Sequence, residues 1–138
     1  MNNSKYFLLA IFIVVNLTIF LRARRKSKQD FYSDTFVFFP LGIYVLGDAL
    51  ILAPFWLFSS IIFFFISPQN ILRYIITFYT IRSFYEVFYW LNHQSVKSDY
   101  NPPLFRKIKW IKANESAILY QLIHTCIVVI GIFLLVSV

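Results

Sequence analysis

Tyr79, Arg82, Glu86, Tyr89 and His93 follow one another at intervals of three, four, three and four residues within an otherwise apolar stretch. That spacing puts all five on one face of a helix. Phenol, guanidinium, carboxylate and imidazole groups in a row can hold an anion, hydrogen-bond a polar ligand or exchange protons. Inside a membrane such groups are costly, roughly 2.5–3.5 kcal/mol for a central Arg or Asp on a translocon-type scale. A stripe of this kind therefore turns toward partners or water and away from lipid.

Asp48, Gln121 and His124 are the companion polar groups in other apolar blocks. Counted from the block ends nearer the basic loops, Asp48, Arg82 and His124 each lie about ten residues in, or roughly 15 Å at 1.5 Å per residue. Glu86 and Gln121 lie nearer those ends, and Asn16 is shallower still. The expectation is one polar chamber lined by Asp48, Arg82, Glu86, His124, Gln121, Tyr79 and Tyr89, sized for a small solute, a proton or a lipid headgroup. Arg82 would face an anion, Asp48 and Glu86 would counter it, and His124 could exchange protons near neutral pH. Asp48 has no basic neighbour in its own block, so it is expected to find Arg82, His124 or water, or to be held protonated. The plainer alternative is that Arg82 and Glu86, four residues apart, simply neutralise each other, with His124 and His93 as hydrogen-bonded packing residues.

The elements that carry these groups are read from composition. Of 138 residues, 59% are hydrophobic and 21% aromatic, while 14% are charged, against about 25% charged in an ordinary globular chain. The apolar residues fall in four blocks, which predicts an all-α membrane protein: a four-transmembrane-helix bundle forming a single integral-membrane domain over 1–138. The helices are expected at about 5–22, 38–66, 71–92 and 115–137. Block one, Tyr6 to Leu21, rises only about 24 Å, so Lys5 and Arg22 are expected to snorkel outward. Its basic cluster follows the apolar run, unlike that of a secretory signal. Pro40 suits a helix start, Pro54 should bend block two, and Gly42, Gly47 and Gly131 suggest close helix packing. Ser67-Pro68-Gln69-Asn70 reads as a turn that makes helices two and three an antiparallel hairpin, and Asn114 or Ser116 reads as a cap for helix four.

The net charge of +7 is concentrated in two segments, Arg22 to Lys28 and Lys97 to Lys112. By the positive-inside rule both are cytoplasmic, giving an N-out/C-out topology in the cell (inner) membrane. After the break at Asn101-Pro102-Pro103, the residues Leu104, Ile108 and Ile111 recur at helical spacing. Arg106, Lys107, Lys109, Trp110 and Lys112 surround them. A short basic amphipathic helix on the anionic lipids of the inner leaflet is expected there, just before helix four. Tyr85, Tyr89, Trp90, Tyr100 and Trp110 fit an aromatic belt at headgroup level.

The charge is accompanied by no nucleic-acid motif, and no nucleic-acid partner is expected. No HxxxH, ExxH or CxxC spacing points to a metal, and no motif points to a cofactor. Cys126, the sole cysteine, is expected to be a buried structural thiol. The expected function is binding or transport of a small solute, proton or lipid headgroup in the intramembrane chamber. One alternative is a membrane-embedded enzyme carrying out proton transfer on a lipid-soluble substrate. Another is an accessory subunit docked on a larger membrane partner. A homo-oligomer would complete a pathway that one small chain cannot enclose.

Overall fold

Each apolar block contains a long α-helix in the computed structural model, which describes residues 2–26, 28–94, 101–103, 105–108 and 110–137. Helix α1 spans Asn2–Arg24, α2 spans Ala49–Phe65, α3 spans Pro68–Gln94 and α4 spans Ala113–Ser137. Among the described residues there is no strand, only an isolated antiparallel bridge between Asp34 and Val45. At 1.5 Å per residue, α1, α3 and α4 reach about 34, 40 and 37 Å.

Among the described residues, three stretches are both long and apolar enough to cross a membrane: Ser4–Arg24, Leu46–Phe65 and Glu115–Ser137. Only 22%, 33% and 17% of their most apolar windows are buried within the protein, and Phe58, Phe65, Val129 and Phe133 point outward. Helices that expose apolar side chains so widely need lipid around them, which marks an integral membrane protein. Helix α3 has the length but not the apolarity, because the polar ladder runs through it.

The chain divides into two compact units, Met1–Pro68 and Gln69–Val138. In the first, α1 and α2 are antiparallel. Tyr6 stacks on Phe64 (5.7 Å), Phe12 meets Trp56 edge-on (5.8 Å), and Ile19 and Ala23 bury against Ala49 and Ala53. Helix α1 is longer than its apolar run because Asn2 to Lys5 and Arg22 to Arg24 continue it. The Lys5 ammonium donates to the Ile66 carbonyl at 2.9 Å, at the end of α2 where helix carbonyls have no internal donor.

The second helix begins at Ala49 rather than near residue 38. The intervening apolar residues form 3-10 turns at Phe36–Leu41 and Leu46–Asp48, preceded by one at Lys28–Tyr32. Pro40 lies within a 3-10 turn rather than opening a helix. Gly42 follows at φ 72 and donates its N–H to Phe39 (2.9 Å), a left-handed position that glycine adopts without strain. The segment then folds back, with Thr35 N–H donating to Tyr44 (3.1 Å) and Leu46 N–H to Ser33 (3.0 Å). Gly42 and Gly47 therefore serve this folded connection and not helix packing; a Cβ at 47 would lie 3.4 Å from the Phe31 carbonyl. Ile43 and Leu46 bury against α1, and the Trp56 indole donates to the Leu41 carbonyl at 2.9 Å. Helix α2 continues through Pro54 to Phe65.

In the second unit, α3 and α4 are antiparallel: Thr80 faces Gly131, and Trp90 meets Tyr120 (5.8 Å). A Cβ at 131 would overlap the Thr80 hydroxyl, so this glycine does set a close helix approach. The start of α4 is capped by Glu115, whose carboxylate accepts the Lys112 N–H at 3.3 Å. Ser116 lies inside the helix and donates to Asn101 Oδ1 (3.2 Å). The expected basic amphipathic helix is replaced, among the described residues, by a 3-10 turn at Phe105–Lys107. Pro102 and Pro103 supply no N–H to a preceding helical turn, and Arg106 Nε donates back to the Asn101 carbonyl (3.0 Å). Lys97, Tyr100, Leu104 and Lys109 lie outside the described residues, as do the side chains of His93 and Lys107. Trp110 is 83% exposed. Cys126 lies on an exposed face of α4, which corrects the expectation of a buried thiol: its flank, with Leu122, Val129 and Phe133, is turned outward.

Candidate intramembrane polar site

The ladder on α3 organises around the Glu86 carboxylate. Arg82, one turn earlier, donates Nη1 to Oε1, and Trp90, one turn later, donates its indole N–H to Oε2 at 3.1 Å. Glu86 is 6% exposed and Trp90 2% exposed. A buried carboxylate that collects a guanidinium and an indole has both oxygens satisfied. The Arg82 guanidinium also lies over the Tyr85 ring, 5.5 Å from its centroid, a cation–π distance.

Helix α4 brings His124 into the same unit. Its imidazole is buried and packs on the Tyr120 ring at 4.5 Å. Tyr120 in turn meets Trp90 and, at 6.0 Å, Phe105. Tyr79 is half-buried against Phe78, and Tyr89 contacts Tyr85 and Trp90. The half-buried Gln121 accepts the Thr125 hydroxyl on its carbonyl (2.8 Å). Arg82, Glu86, His124, Gln121, Tyr79 and Tyr89 thus all belong to the α3–α4 unit.

Asp48 belongs to the other unit and has a different setting from the one expected. It sits at the start of α2 rather than ten residues into it. Its Oδ2 accepts the N–H groups of Tyr44 (3.0 Å) and Val45 (3.2 Å). Backbone donors thereby do for this carboxylate what a remote cation was expected to do. Asn16 is fully buried in α1, its Nδ2 donating to the Phe12 carbonyl at 2.8 Å while its Oδ1 has no partner among the described residues.

Ser83 is the residue that spacing alone did not single out. Thr18, Ser59, Ser60, Thr77, Thr80, Thr125 and Ser137 each donate their hydroxyl to the carbonyl four residues earlier. That is the usual resource of a hydroxyl in an apolar helix. The Ser83 hydroxyl, fully buried between Arg82 and Glu86 in sequence, has no hydrogen-bond partner among the described residues. Among those residues no group of three or more His, Cys, Asp or Glu could hold a metal ion. No family model, no curated protein and no solved structure matches this chain.

Proposed function

We propose that this chain is a four-span membrane protein in which α3 also crosses the bilayer, with both termini outside and the basic segments 22–28 and 97–112 in the cytoplasm. Its α3–α4 polar face binds or passes a small polar species: a solute, a proton or a lipid headgroup. Burial of Arg82, Glu86 and His124 in one helix pair supports this reading, because such groups at membrane depth mark ligand and proton pathways. The observation that carries it is the orphaned Ser83 hydroxyl beside the Arg82–Glu86 pair. A buried hydroxyl that forgoes its own helix carbonyl is suited to a bound polar group. Helix α3 loses apolarity to the ladder, and a helix that shields those groups within the protein can still span.

The test is native mass spectrometry of the full chain released from lipid nanodiscs, on wild type, Ser83→Ala and His124→Gln. The expected result is a polar small molecule or headgroup-bearing lipid retained by wild type and lost from both variants, with α-helical circular dichroism unchanged. Equal retention by all three proteins would remove the site.

A further inference from the structure

Phe7, Ala10, Val14, Leu17 and Leu21 follow one another at intervals of three and four along α1, and all five are exposed. The same spacing continues to Arg24, three residues after Leu21, and to Arg25, four after it. One flank of the helix is therefore an apolar stripe that ends at two guanidiniums. Thr18 borders the stripe and donates its hydroxyl to the Val14 carbonyl at 2.8 Å. The other flank is committed to the protein, because Ile19 and Ala23 are buried against Ala49 and Ala53.

The arginines that close the stripe are exposed. Helix α1 contains no acidic residue, and among the described residues neither side chain takes part in a hydrogen bond or ion pair. Nor do they cap the helix: the carbonyls of Arg22 and Ala23 accept the N–H groups of Arg25 (3.3 Å) and Lys26 (3.2 Å). Arg22 and Lys26 are placed differently, sharing a hollow with Asp30 and Asp34. At the far end of α1, Lys5 is held by the Ile66 carbonyl. Positive charge with no acidic neighbour therefore meets the apolar stripe at Arg24 and Arg25.

Arg24 closes the apolar stretch Ser4–Arg24, which places both guanidiniums at headgroup level when that stretch spans. Val14 to Leu21 covers about 10 Å at 1.5 Å per residue, within the roughly 15 Å of hydrocarbon in one leaflet. A second copy of this chain is a poor occupant. Two parallel stripes would set like-charged arginine pairs side by side, with no acidic residue of α1 to separate them.

We infer that this flank of α1 is a docking surface for an anionic phospholipid. An acyl chain lies along Val14, Leu17 and Leu21, and Arg24 and Arg25 take the phosphate oxygens through charge-assisted hydrogen bonds. A headgroup that carries its own ammonium brings a cation up to the arginines, so a phosphodiester without one is preferred. The α3–α4 site and this surface share no residues, so either can fail without the other.

The experiment is native mass spectrometry of the full chain released from phosphatidylcholine nanodiscs doped with phosphatidylglycerol, with inorganic phosphate added in a parallel arm. Wild type is expected to retain phosphatidylglycerol over phosphatidylcholine by on the order of tenfold, the scale set by two basic side chains at an anionic surface. Arg24→Gln combined with Arg25→Gln brings the two lipids close to equal retention. Arg22→Gln combined with Lys26→Gln removes the same charge from neighbouring positions and leaves most of the preference in place. Retention that survives excess inorganic phosphate supports a lipid surface, and displacement by phosphate contradicts it. Equal retention of both lipids by wild type, or equal losses in the two double variants with helical content intact, overturns the inference.

Discussion

The Trp90 indole N–H and the Arg82 guanidinium bind opposite oxygens of the same Glu86 carboxylate, the indole at 3.1 Å, from one turn on either side along α3. The three residues form a continuous rod of hydrogen bonds on one helix face. Glu86 is both the counter-ion of Arg82 and the anchor of Trp90, and Trp90 packs the loop end of the unit through Tyr120. Charge balance and helix packing are therefore coupled at one side chain.

Removing the carboxylate should be more damaging than removing the pair. Glu86→Ala leaves the Arg82 guanidinium, whose side chain is 11% exposed, without its carboxylate, and breaking a buried pair from one side costs about 3–5 kcal/mol. Arg82→Met combined with Glu86→Ala should recover much of that loss. Thermal unfolding in detergent, arranged as a double-mutant cycle, checks it; additive losses would show that the two residues act separately.

Gly131 admits Thr80 so closely that any larger side chain must part the helices. Gly131→Val is expected to destabilise the α3–α4 unit by about 1–3 kcal/mol, the usual cost of overpacking. Thr80→Ala in the same chain should partly restore it, because the hydroxyl is the first atom met. A melt in which Thr80→Ala gives no recovery would place the clash elsewhere.

Asp48 is predicted to stabilise the start of α2 by accepting hydrogen bonds. Asp48→Ala should cost about 1 kcal/mol, typical for loss of a side chain that satisfies orphan backbone donors. Asp48→Asn, which keeps an acceptor oxygen, should cost less. If the alanine and asparagine variants melt together, the contacts to Tyr44 and Val45 contribute nothing.

Topology can be tested with cysteines in a Cys126→Ser background. A membrane-impermeant maleimide should label Ser67→Cys from outside, and should reach Lys26→Cys and Lys112→Cys only after permeabilisation. Labelling of Ser67→Cys and Lys112→Cys from the same side would mean that α3 does not cross.

Much of this was legible from residue spacing. The i, i+4 relation of Arg82 and Glu86 foretold their pairing, and a lone glycine in a leucine-rich run foretold the close approach at Gly131. The start of α2 was not legible. Pro40 and the apolar run Leu41 to Leu46 resemble a helix opening, whereas the 3-10 turns depend on Asp48 reaching back to two N–H groups and on Gly42 turning left-handed. Trp90 read as a headgroup aromatic, although its place four residues after Glu86 was the available signal for the indole–carboxylate bond. Ser83 carried no signal of its own, because a helical serine ordinarily satisfies itself and only the folded arrangement shows that this one does not.

An intramembrane polar site requires α3 to carry Arg82, Ser83 and Glu86 into the bilayer with its apolar flank toward lipid. Ile81, 65% exposed and next to Arg82, reports that depth most directly. A spin label on Ile81→Cys, in a Cys126→Ser background reconstituted in bilayers, should collide readily with oxygen and scarcely with a water-soluble nickel complex. Ready access of the nickel complex to that label would put the ladder in water and contradict an intramembrane site.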